Sequence, residues 1–134
     1  MHYQKNFLTN VIFRLDFEGI LELKENTDTA FSNEISEKYP FASKEPLQLT
    51  MISATPTSKS FQEETIYRRD YKNSKDAQKT VYLFPDALVV EYKQGQYKNF
   101  DSFYEDVNFV YEAFQKSYHI EAFKRMGLRY QYLT

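Results

Sequence analysis

The stretch KTVYLFPDALVVEY, Lys79 to Tyr92, decides the fold. Two runs rich in valine, tyrosine and leucine flank Pro85-Asp86, and proline presets the backbone for the second position of a type I turn. The stretch therefore predicts a β-hairpin, with Val81, Leu83, Leu88 and Val90 on its inner face.

The pattern extends in both directions from there. Upstream, NVIFRLDFEG (Asn10–Gly19) sets Val11, Phe13, Leu15 and Phe17 against Ile12, Arg14, Asp16 and Glu18, the alternation of a half-buried strand. NTDTAFSNEISEKYP offers Thr27 or Asp28 as a cap, then Phe31, Ile35 and Tyr39 at four-residue steps, so a short helix closed by Pro40 is expected. LQLTMIS (Leu47–Ser53) and TIYRRDY (Thr65–Tyr71) read as the second and third strands, with ATPTSKS and KNSKDAQ as polar loops. Downstream, a long helix starts near Asn99. Phe100, Phe103, Tyr104, Val107, Val110, Tyr111, Phe114 and Tyr118 fall on one broad face of it. AFKRMGLRYQYLT, which closes the chain, alternates again as a strand.

The order is β-α-β-β-β-β-α-β. Two helices cannot cover both faces of a sheet of about six strands. The expected architecture is a single α+β domain over 1–134, a two-layer sandwich with a mostly antiparallel sheet.

Composition narrows the function classes. The 134 residues suffice for one core without staples, and 12 Tyr with 12 Phe make that core aromatic. A formal net charge of −2 argues against a general polyanion binder. Charge is nevertheless uneven: residues 1–64 carry a net −4 and residues 65–134 a net +2. The absence of cysteine removes disulfide frameworks, thiolate zinc sites and cysteine nucleophiles. The N-terminus lacks a signal-peptide layout and no apolar run approaches ~18 residues, so a cytoplasmic chain without membrane contact is expected.

Catalytic patterns are weak. His2 stands in the N-terminal segment and His119 at the end of the long helix, so no histidine pair has metal-ligand spacing. Gly19, Gly95 and Gly127 are too dispersed for a phosphate loop. Glu63-Glu64 and Glu105-Asp106 read as solvated surface rather than acid/base pairs. No enzyme, cofactor or metal is expected.

RMGLRY (Arg125–Tyr130) is the feature that calls for an explanation. Strand alternation puts Arg125, Gly127 and Arg129 on one face, the arginines ~13 Å apart with bare backbone between them. Lys124, Met126, Leu128 and Tyr130 take the other face. A strand glycine costs stability and marks a bulge or a close approach by something else. Three readings stay open. The arginines belong to a cross-strand charge ladder with Arg14, Asp16 and Glu18, the glycine admitting Tyr67 or Tyr71. Alternatively a partner or second domain covers the gap, or the arginines fork an anion, with Arg68 joining either cluster.

RMGLRY after an amphipathic helix, preceded by VYLFPDALVV and YKNFDSF, resembles a sporadically distributed, uncharacterised prokaryotic family with an Arg-hydrophobic-Gly-Leu-Arg-Tyr motif. The likeness covers nearly the whole chain. It departs where Leu8-Thr9-Asn10 replace a proline pair and where Tyr67 or Tyr71 stands for a tryptophan. Members continue past this motif, so the resemblance implies a short relative or the N-terminal part of a longer protein. It brings no activity with it.

Phe109 lies opposite the centre of the long helix's apolar face and is expected as an exposed anchor. Tyrosine and arginine are enriched at interface hot spots. The expectation is therefore a non-enzymatic protein-interaction or self-association module. Arg68, Phe109, Arg125, Gly127, Arg129 and Tyr130 are its candidate contacts. The partner is another protein or a C-terminal domain, with a homodimer as a secondary arrangement. The alternative is single-stranded RNA or DNA stacked on a Tyr/Arg sheet face, which YRRDYK alone supports weakly because Asp70 interrupts it.

Overall fold

Proline at the hairpin turn does more than reverse the chain. Pro85 and Asp86 form the turn between β4 (Lys79–Phe84) and β5 (Ala87–Lys93), pairing Val81 with Val90 and Leu83 with Leu88. The turn carbonyls then accept from the end of the first strand: Ile20 N–H donates to Pro85 O at 2.9 Å and Phe17 N–H to Asp86 O at 3.0 Å. The computed structural model describes residues 8–20, 29–54, 59–76, 78–93 and 96–132. The expected Thr27/Asp28 cap, His2 and the tip of the ATPTSKS loop lie outside the described residues.

The remaining elements are β1 (Leu8–Phe17), α1 (Thr29–Ile35), β2 (Phe41–Ala54), β3 (Lys59–Lys72), α2 (Phe100–Tyr118) and β6 (Phe123–Tyr132). The six strands form one sheet in the order β2-β3-β4-β5-β1-β6, with every neighbouring pair antiparallel. The chain thus has the predicted α+β architecture. Strand order is the new information. The N-terminal strand β1 sits between β5 and β6, so β5 and β6 run parallel to one another and α2 is the crossover between them. β2 and β3 are longer than their apolar cores suggest, and β4 meets only Arg69–Lys72 of β3. The rest of the β2–β3 pair runs on as a two-stranded ribbon.

Both helices join one core on one face of the sheet. Val11, Leu15 and Phe17 of β1, Val81 and Leu83 of β4, and Leu88 and Val90 of β5 are buried. Against them stand Phe31 and Ile35 of α1 and Phe103, Val107, Val110 and Phe114 of α2. Aromatic contacts tie the layers. Phe31 meets Tyr71 at 5.4 Å and Phe114 at 6.2 Å, and Phe114 meets Phe17 at 5.0 Å between ring centroids. Such tilted and edge contacts add to the area each ring buries.

α2 is capped at both ends. Asn99 Oδ1 accepts from Ser102 N–H at 2.8 Å. His119 turns left-handed (φ 53°) and donates its backbone N–H to Gln115 O, which closes the helix. Among the described residues, no helix is long and apolar enough to cross a membrane.

A carboxylate is buried with the core. Asp106 lies three residues after Phe103 and four before Val110, within the apolar arc, and is 8% exposed. The expectation that Glu105-Asp106 is surface holds for Glu105 and fails for Asp106, because that 3.6-residue spacing turns Asp106 inward. The hydroxyls of Tyr39 and Tyr92 both donate to its Oδ2, the second at 2.6 Å. The pair of bonds pins the segment after α1, strand β5 and helix α2 together.

Burial, reinforced by the neighbouring Asp106, pushes both tyrosine hydroxyls far above the ordinary value of 10.0. The folded chain keeps them protonated where unfolded tyrosines ionise. Stability is therefore complete below about pH 10 and falls above it, by up to about 1.4 kcal/mol per pH unit for each tyrosine. Urea unfolding between about pH 9 and 11 tests this. Tyr92→Phe should start about 1.5–3 kcal/mol lower and decline less steeply than the wild type. Parallel slopes would show that the Tyr92 hydroxyl is not held neutral by the fold.

Candidate functional site: the open face of the sheet

The helices leave the other face of the sheet uncovered, and alternation brings three rows of side chains onto it. Gly127 stands opposite Arg14, which stands opposite Val89, then Tyr82 and Asp70. On one side of that row lie Arg125, Asp16 and Ala87; on the other, Arg129, Ile12 and Glu91. Apart from Asp70 and Ala87, these residues line, together with Arg68 and Phe84, a shallow depression of ≈590 Å³. Three arginines singled out from the sequence, Arg68, Arg125 and Arg129, thus share one surface with Gly127.

Most of the charge is matched internally. Asp16 Oδ1 accepts from Arg14 Nε at 2.8 Å, and its Oδ2 accepts from Arg125 Nε at 3.3 Å. Partial burial raises the Asp16 pKa, but the two guanidiniums outweigh it and hold the carboxyl below the usual range. Arg68 forks Asp70, with Nε to Oδ1 at 2.7 Å and Nη2 to Oδ2 at 2.9 Å. Glu91 accepts from Asn10 Nδ2 at 2.7 Å and from the Tyr82 hydroxyl at 3.2 Å. The rings on this face are covered: Arg68 sits 5.1 Å from the Tyr82 centroid and Arg14 5.8 Å from that of Phe84.

Arg129 differs. It forms no hydrogen bond or ion pair with the described residues. Beside it, a Cβ placed on Gly127 would meet no heavy atom within 4 Å. The glycine does not admit Tyr67 or Tyr71: Tyr71 is buried beneath the helices and Lys44 lies over the Tyr67 ring. The cross-strand ladder is real for Arg125, and it leaves the gap empty.

Two other candidates lie elsewhere. Phe109 is half-buried and packs against the core, with Lys38 Nζ 4.5 Å from its ring centroid. The turn after α1 folds over that side of α2, which the spacing of α2 alone cannot show. Tyr130 points to the helix side of β6, where its hydroxyl meets that of Tyr97 at 3.2 Å and the rings pack edge-on. Lys124 also departs from simple alternation. The register shifts between Asp16 and Phe17, so Phe123 pairs with Phe17 and turns to the core.

The helix side of β6 holds a feature that the sequence reading missed. Met126, Leu128 and Tyr130 are 67%, 43% and 36% exposed there. With Phe13, Phe100, Tyr104 and Tyr111 the first two border an apolar groove of ≈610 Å³. The excess width of the α2 apolar face was its signal.

Asp106 borders a third depression, ≈420 Å³, with Lys38, Lys79 and Lys98. Its Oδ2 is committed to two tyrosines and its Oδ1 is buried, so its chemistry is structural. Among the described residues no three His, Cys, Asp or Glu side chains cluster to hold a metal ion. Comparison with models of known families, with curated proteins and with solved structures yields no match for this chain.

Gly127 also makes a prediction about stability. With open space at its Cβ position and no left-handed backbone, Gly127→Ala should stabilise the chain by about 0.4–1 kcal/mol through the unfolded state. Thermal or urea unfolding reads this directly, and a destabilised variant would mean that the fold itself requires the glycine.

Proposed function

We propose that this chain is a non-enzymatic protein-interaction module whose contact surface is the last strand, β6, with the open sheet face beside it. The observation that carries the reading is the unused gap at Gly127. Glycine within a strand costs about 0.5–1 kcal/mol relative to alanine, and no described group uses the space it leaves. Two exposed arginines flank that space, and Arg129 has no counter-ion among the described residues. A surface kept bare at the expense of stability suits an approaching partner. The cytoplasmic setting expected from the N-terminal sequence and the short apolar runs belongs to the same proposal.

Nucleic-acid binding ranks second. A stacking surface for unpaired bases needs accessible rings, whereas Tyr82 and Phe84 lie beneath guanidiniums. The net charge of −2 adds no general attraction to phosphate.

Light scattering on the purified chain, and capture of partners from an extract, should be run with wild type, Gly127→Val and Arg129→Ala across a salt series. The expected result is a complex of the wild type with a partner protein, lost in both variants and at high salt, with melting temperatures maintained. If all three proteins form the same species, this face is not the contact. If Arg129→Ala melts lower and forms the same species as the wild type, the arginine serves the fold and not a contact.

A further inference from the structure

The two edges of the sheet are unlike. The outer strand β2 carries Pro46 in mid-strand, and proline blunts an edge by removing a donor. β6, the opposite edge, has no proline and no acidic residue. Between its register irregularities, Arg125 to Gln131 pair regularly with β1 on one side. Nothing among the described residues pairs with the other side.

That run is sorted by face. Met126 and Leu128 border the apolar groove below Phe100 and Tyr104, and Arg125 and Arg129 stand on the open face around Gly127. A strand added to this edge would lie ~4.8 Å away and continue both patterns. Its residue opposite Gly127 would have Arg125 and Arg129 as diagonal neighbours, within reach of long side chains. A carboxylate there meets two guanidiniums, one of them without a counter-ion among the described residues, across a gap that no Cβ fills. The residues on either side of that acid point to the helix side, beside Met126 and Leu128.

We infer that the outer edge of β6 takes an extended segment of a partner protein, apolar-acidic-apolar in sequence, added as a seventh strand with its carboxylate opposite Gly127. This rests on β6 being the contact surface proposed above, and specifies the partner. Charge selects against a second copy. In every two-fold register centred between Arg125 and Arg129, an arginine of one chain lies directly or diagonally opposite an arginine of the other, and like charges so placed repel. An acidic strand has the complementary sign.

The test uses the full chain and a labelled peptide, acetyl-Leu-Thr-Val-Glu-Val-Thr-Leu-amide, compared with its Glu→Lys form and with a version N-methylated along one backbone edge. Fluorescence anisotropy gives affinity, and hydrogen exchange reports on the outward amides of β6. The Glu peptide should bind at least tenfold more tightly than the Lys peptide and slow exchange in β6, and the N-methylated version should fail. Arg129→Glu should reverse the preference, and Gly127→Val should abolish it while keeping its melting temperature.

Equal affinity for the Glu and Lys peptides overturns the inference, as does no binding at about 1 mM peptide. Undiminished binding of the N-methylated peptide places the ligand on a face and overturns strand addition. Concentration-dependent protection of β6 without peptide makes a second copy the occupant. A partner complex that Gly127→Val disrupts, in a chain that ignores all three peptides, would keep the contact surface and discard the strand. Complexes indifferent to Gly127→Val would discard the surface itself.

Discussion

β1 is paired along both of its edges, with β5 on one side and β6 on the other, and the rest of the structure depends on that double pairing. Its inward residues, Val11, Leu15 and Phe17, are the floor on which α2 packs. Its outward residues, Arg14 and Asp16, organise the charge on the open face. The C-terminal strand reaches its place only through contacts such as Arg125 to Asp16, 109 positions apart. Pairings of that separation carry a large loop-closure cost before they contribute anything. The β4–β5 hairpin, closed by a two-residue turn, is the local element on which β1 can dock, and the turn carbonyls that bind Phe17 and Ile20 fix where β1 ends.

Coverage is the next constraint. A short α1 and a long α2 cannot shield six strands, and the shortfall falls on the edges, at Phe41 of β2 and at Met126 and Leu128 of β6. Phe100 and Tyr104 stack on each other at 5.9 Å in the first turn of α2, on the flank that stays exposed while Phe103 between them is buried. The apolar arc of α2 is therefore wider than its contact with the sheet. At the other side of the helix the Tyr39–Asp106–Tyr92 cluster does the opposite, inserting a carboxylate where an apolar residue would pack. Two hydroxyl donors offset much of its desolvation, and the directional bonds restrict how α2 can sit.

Much of this was legible in the sequence because it is local. Pro85-Asp86 specifies a turn, and the spacing from Phe100 to Tyr118 specifies a helix. Strict alternation placed Arg125, Gly127 and Arg129 on one face and split Arg68 from Arg69, which lies on the covered face at 1% exposure. Strand order was not legible, since alternation records which face a residue takes and not which strand it meets. The same limit explains Phe109, which another element covers, and Phe123, which a register shift turns inward. Asp106 was legible in principle. Its position between Phe103, Val107 and Val110 outweighs the resemblance of Glu105-Asp106 to solvated surface.

Edge cations have an ordinary role, which is to keep exposed strands from pairing with one another. Lys124, Arg125 and Arg129 suit that role, and the proposal has Arg125 and Arg129 disfavour a second β6. Protection alone accounts for neither neighbouring feature. A barrier to pairing gains nothing from leaving Met126 67% exposed on the helix side, because exposed apolar area invites association. Nor does it gain from a glycine between the charges, where a third long side chain would obstruct an incoming strand better. Cations that exclude like strands, a gap that admits a carboxylate and an apolar flank that rewards pairing fit together in the proposal that β6 rejects its own kind and accepts an acidic strand. Specificity built this way needs a repulsive and an attractive element on the same edge, and in that proposal the arginines supply both.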